Sequence, residues 1–211
     1  MRRVLIAAAV ALVLSAISPI SSAAVTVETV SGQEWVQFIL SFSRAENPMY
    51  DKKGDACYVG QHGDTWYLAV TFSGSKVRDC EVPEGVALVV TTGCFFCFPP
   101  YVTGEWEDCP RFMENDARTY WVEHSLTIDG VSYDPGYTVS GPYNVWYPVN
   151  GLSKFFGGTN PPLKAGVYEP AMDGGYFGKI RGLEPGKHVI YGHSVGSDGA
   201  VYDVTWNITV K

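Results

Sequence analysis

The sequence predicts a mainly β fold, a single antiparallel β-sandwich or jelly roll with one or two flanking helices. Three observations predict it. Tyr202, Val204, Trp206, Ile208 and Val210 alternate without a break with Asp203, Thr205, Asn207 and Thr209, the period-two pattern of a half-buried strand. Asp129-Gly130 stands between Ile128 and Val131, a strong two-residue hairpin signal. Finally, 23 Gly, 13 Pro and 14% aromatic residues suit short strands joined by tight turns.

The remaining elements follow in chain order. Val25, Val27 and Val30 form an edge strand. Ser31 precedes Glu34 at capping-box spacing, and Trp35, Phe38, Ile39 and Phe42 recur at helical spacing, so residues 32–44 read as one amphipathic helix. Asn47-Pro48 ends it. Residues 65–72 alternate as a strand, with Trp66, Leu68, Val70 and Phe72 on one face. Val86 to Val90 is a continuous apolar run, as in a strand covered on both faces. Residues 111–123 read as a helix running into a strand. Residues 133–156 are punctuated by Gly, Pro and Asn and read as a loop. Short strands are expected at Val167-Tyr168, Tyr176-Phe177 and His188 to Tyr191, the last entered through a turn at Leu183 to Gly186.

The chain opens with Arg2 and Arg3, an apolar run from Val4 to Ile17, and small residues at Ser21 to Ala24. That order is a secretory signal peptide. The run is shorter than the roughly 20 residues that span a bilayer. We expect residues 1–24 to be removed, leaving one β-sandwich domain at 25–211, secreted or periplasmic and without a membrane span. Loss of the two arginines takes the formal charge from −7 to −9. Such a surface repels nucleic acid and anionic membranes.

All five cysteines lie between Cys57 and Cys109, and an oxidising compartment pairs them. A reversal of the chain around the strand between Cys57 and Cys80 brings these two together. Cys109 is expected to pair with Cys97 or Cys94, leaving the other as a free thiol. Cys94 and Cys97 have C-x-x-C spacing, but no second C-x-x-C or H-x-x-x-H follows, so no zinc site is expected. No cofactor is expected either.

Several stretches together resemble a family of uncharacterised secreted bacterial proteins. They are Asn47-Pro48 with Asp51, Gly54 and Cys57, then Gly60-Gln61, Trp66 to Ala69, Arg78 to Leu88, Leu183 to His188, and Asp203 to Val210. The last two resemble that family's closing hairpin. The family carries no assigned activity, so the resemblance implies no catalytic residue. The chain departs from the pattern after Leu88, where Val89, Val90, Thr91 and Thr92 replace larger apolar residues and a Pro.

Motifs for chemistry are sparse. No H-E-x-x-H occurs. His188 and His193 are five residues apart, which on one strand puts them on opposite faces. Glu105 with Glu107, and Glu114 with Asp116, are paired carboxylates of the kind that serve acid–base chemistry. The aromatic-rich stretch from Tyr133 to Phe156 offers Tyr143, Trp146, Tyr147 and Phe155 as ligand-binding residues, since Tyr and Trp join an apolar face to a polar tip. The expected function is a secreted, non-enzymatic binding or interaction module, with carbohydrate or an envelope protein as partner. The alternatives are an extracellular polysaccharide hydrolase or lyase using paired carboxylates, and a structural envelope protein.

Overall fold

The computed structural model describes residues 24–51, 57–72, 74–99, 106–148, 151 and 163–211. The expected signal peptide, residues 1–24, lies outside them but for Ala24. The chain forms two β-sheets packed face to face, with one helix on the outer face of the first, so the expected sandwich with flanking helices is what is observed.

The strands in chain order are β1 (Thr26–Thr29), β2 (Thr65–Tyr67), β3 (Gly74–Val82), β4 (Ala87–Cys97), β5 (Trp121–Ile128), β6 (Val131–Tyr133), β7 (Tyr137–Tyr147), β8 (Gly166–Arg181), β9 (Gly186–Gly196) and β10 (Val201–Val210). The first sheet runs β1-β8-β4-β2, and the second β3-β10-β9-β5-β6. The long β8 gives one edge to two partners in succession, β1 at Gly178 to Arg181 and β7 at Gly166 to Tyr176. Most pairs are antiparallel, but β2 runs parallel to β4 and β3 parallel to β10. The sheets are therefore mixed.

The core between the sheets joins Leu88, Val90 and Ile180 of the first to Leu126, Ile128, Ile190, Val204, Trp206 and Ile208 of the second. The β10 side chains expected to face inward from Val204 onward are buried, and the Asp129-Gly130 turn closes β5 onto β6 with both residues at positive φ, 51° and 81°. On the other face of β4, Val89 joins a second core with Trp35, Phe38 and Ile39. These come from helix α1 (Gln33–Leu40). The apolar run at 86–90 is thus covered on both faces, as its composition requires. A helical stretch packs Met113 and Ala117 against Cys97 and Met172. It is built from α2 (Asp108–Arg111), a π-helical turn (Phe112–Asp116) and α3 (Ala117–Tyr120), and it runs directly into β5.

Four expectations need correction. Helix α1 stops at Leu40, and Gly32 precedes it without a side-chain cap; Glu34 instead accepts a hydrogen bond from the Tyr67 hydroxyl at 2.8 Å. Only Thr65–Tyr67 of the 65–72 stretch pairs as a strand. Residues 137–147, read as loop, form β7. Its Gly141, Pro142 and Asn144 sit at two register shifts, after Ser140 and after Tyr143, where bulges tolerate residues that break a regular ladder. The two short strands at 167–168 and 176–177 are parts of one 16-residue strand, β8.

The cysteines pair as Cys57–Cys80 and Cys97–Cys109, with Cα–Cα distances of 5.6 and 6.6 Å. Cys94 is the free thiol. Among the described residues no helix is long and apolar enough to cross a membrane.

Candidate functional site

The site begins with the inward face of β9. Ile190 is followed on that face by Gly192, Ser194 and Gly196, all buried. A strand that should present large apolar groups to the core presents small ones, and space is left between the sheets. Gly192 is held small by its neighbours. A Cβ there would lie 3.2 Å from the Trp206 ring, tighter than ordinary van der Waals contact.

Two β-bulges flank that space. In β4 the register shifts between Thr91 and Gly93, so Thr92 is the extra residue, and Thr91 and Thr92 are both buried. In β5 the register shifts between Trp121 and Glu123. Without that shift, parity with Leu126 would bring Val122 inward. The extra residue leaves Val122 exposed and turns Trp121 in. Bulges commonly re-aim side chains in this way beside functional sites.

The resulting cavity has a volume of about 260 Å³. It extends past the edge of β4 beyond Val89, where pairing with β2 stops. Trp35, Ile39 and Met49 of the second core therefore contribute to one wall, and Phe95, Tyr120, Trp121 and Tyr202 to another. The Trp121 ring meets Tyr120, Phe95 and Tyr202 at centroid distances of 4.9, 5.4 and 5.4 Å. Against this apolar lining stand three buried polar atoms, Thr92 Oγ1, Trp121 Nε1 and Ser194 Oγ, and none has a hydrogen-bond partner among the described residues. Each belongs to a residue lining the cavity. Buried polar atoms without partners carry a desolvation cost of about 1–3 kcal/mol each, so three around one cavity are unusual.

Cys94 also lines it. Burial, together with the nearby Asp173 carboxyl, pushes its thiol up to about 12, against a hydrogen bond with Thr91. It stays protonated at neutral pH, and a protonated thiol is a poor nucleophile. Asp173 lies fully buried behind this wall and accepts a 2.6 Å hydrogen bond from the Tyr143 hydroxyl.

The ligand-binding residues expected from the sequence are not brought together. Strand parity sends Tyr143, Val145 and Tyr147 inward, where all three are buried, and Trp146 outward, 48% exposed. Phe155 lies outside the described residues, as does Glu105. Glu107, Glu114 and Asp116 are exposed, and Asp116 is 3.5 Å from Arg111.

The histidines are dispersed. His188 and His193 take opposite faces of β9, bonded at 2.7 Å to Asp129 and Asp203 respectively. His124 stacks on Tyr176, and His62 bonds the Gly60 carbonyl at 3.1 Å. Sequence reasoning missed Thr92, Trp121, Ser194 and Cys94 as a group. The legible trace was the small-residue alternation at 192, 194 and 196.

No protein-family model matches the chain, and no curated protein does. A chain of the solved complex of PbICP-C with falcipain-2 is similar at 14% identity, covering 71% of this chain and 100% of that chain, with a TM-score of 0.29. That score is too low to establish a shared fold.

Proposed function

We propose that this protein is a secreted, non-enzymatic binding module that holds a small, mostly apolar ligand between its sheets. The observation that carries the reading is the set of three buried, unpartnered polar atoms around one apolar cavity. A mostly apolar pocket with a few placed polar groups is the usual character of a small-molecule site. Two disulfides within the chain support an oxidising compartment, and the leader supports export. On this reading the mature N-terminus is Val25, and intact-mass measurement of secreted material reads it directly; a retained Met1 defeats it.

Calorimetric unfolding with and without benzene tests the cavity. An apolar cavity of about 150 Å³ already admits benzene. Benzene should raise the midpoint of the natural protein and leave Ser194→Leu unmoved, because the larger side chain fills the space. No shift for either protein removes the reading.

A second reading has one observation behind it. Trp146 is paired across the β7–β8 ladder with Val167, which is 61% exposed. That pair is a small apolar platform of the kind on which a sugar ring of the cell envelope stacks. A glycan array comparing the natural protein with Trp146→Ala tests it, and equal signals reject it.

A further inference from the structure

Resting on the cavity reading above, we infer that the ligand is an uncharged compound with a carbonyl-type acceptor, about the bulk of two fused rings, which takes its hydrogen bond from Trp121 Nε1–H.

Size comes first. The cavity of about 260 Å³ is well above the roughly 150 Å³ that accommodates a single benzene ring. Two fused rings, or an equally bulky branched chain, match it better than one ring.

Charge comes next. The lining includes no Asp, Glu, Lys or Arg among the described residues. An ion entering an apolar space needs a paired countercharge, and none is on the wall.

The polar end is decided by the donor inventory. An indole N–H only donates, so the unpartnered Trp121 Nε1 requires an acceptor. The hydroxyls of Thr92 and Ser194 donate or accept. A carbonyl oxygen, with two lone pairs, accepts from the indole and from one hydroxyl together. Trp121 is turned inward by the bulge in β5, and Thr92 keeps the inward parity of Leu88 and Val90, so each sheet supplies one of the two groups that a carbonyl would use.

The test is titration calorimetry on the disulfide-intact protein with three matched probes, naphthalene, 1-acetonaphthone and 1-naphthoate. The ketone should bind at least tenfold tighter than the hydrocarbon, and the carboxylate more weakly than either. Trp121→Phe keeps an aromatic ring and removes the N–H. It should cancel the ketone's advantage, so that the variant binds naphthalene and the ketone equally. Should that variant fail to fold, Thr92→Val and Ser194→Ala serve instead, and at least one of them should reduce the advantage severalfold. Equal affinity for naphthalene and the ketone overturns the acceptor assignment and leaves the cavity reading intact. Tightest binding of the carboxylate overturns the neutral-ligand assignment. Binding of none of the three overturns both this inference and the reading beneath it.

Discussion

The indole N–H of Trp206 donates to the backbone carbonyl of Ala69 at 3.1 Å, across 137 residues of chain. On one side of this contact, the Trp35 indole donates to the carbonyl of Leu68 at 3.0 Å. On the other, the Arg78 guanidinium donates to the carbonyl of Val70 at 2.8 Å. Three consecutive carbonyls are thus taken by three buried side chains from α1, β3 and β10. This is why β2 ends at Tyr67 although the alternation continues to Phe72. A backbone whose acceptors are satisfied by side chains has no need of a further ladder.

Trp206 is fully buried at the centre of β10. Trp206→Ala should cost about 3–5 kcal/mol in denaturant unfolding, the range for emptying a buried Trp or Phe site. Trp206→Phe should cost about 1–3 kcal/mol, since it mainly leaves the Ala69 carbonyl unpartnered. Thr205→Ala, on the outer face, should stay within about 0.5 kcal/mol. If Thr205→Ala is the more damaging, the register of β10 is wrong.

Arg78 is buried in an edge strand and also donates to the carbonyl of Pro48 at 2.9 Å. Burial lowers its pKa, and the Asp51 charge opposes that. Arg78→Met should cost about 3 kcal/mol or more, because it strips carbonyls of a charged donor at one stroke. Arg78→Lys should recover less than half of the loss, since an ammonium cannot reproduce the planar fork. Full recovery by Lys in the same melts would show that the charge alone matters.

Asp173 gives a pH signature. Burial raises its pKa to about 7, against hydrogen bonds from Tyr143, Ser140 and the Gly32 amide that favour the carboxylate. Between about pH 4 and 7 the folded chain keeps this proton while the unfolded chain releases it. Stability from this group is therefore complete below about pH 4 and is lost as pH rises through 7. The loss is on the order of 4 kcal/mol for a shift of that size. Asp173→Asn should flatten the slope over that range. An unchanged slope in pH-dependent melts would place the carboxyl in a more solvated setting.

The single free thiol is a practical handle. With Cys57–Cys80 and Cys97–Cys109 formed, unreduced protein should show one reactive thiol in denaturant. A charged disulfide reagent should modify it at least a hundredfold more slowly in the native state, because the thiol is buried and protonated. Peptide mapping without reduction should find Cys94 as the modified residue. Cleaving Cys57–Cys80 should cost about 3 kcal/mol for a loop of that length.

The sequence by itself determined those features whose physics is local or composition-driven. The inward and outward faces of β10, the hairpin at Asp129-Gly130, an amphipathic α1 and a strand covered on both sides at 86–90 all follow from side-chain period and turn chemistry. Cysteine count and reach were enough for Cys57–Cys80, and they left open only which of Cys94 and Cys97 joins Cys109. Tertiary structure decided what depends on partners distant in sequence. β7 is a strand despite its Gly, Pro and Asn, because β8 offers it an edge and bulges absorb the breakers. The stretch 68–72 is not a strand despite its alternation, because Trp35, Trp206 and Arg78 take its carbonyls. The candidate site belongs wholly to this second class. Trp121 turns inward only because a single extra residue in β5 reverses the parity of that strand, whereas Thr92 keeps the inward parity of Leu88 and Val90 and is itself the extra residue of β4. A bulge leaves no mark in one strand's own period, since it is a mismatch between two strands and exists only once they are paired.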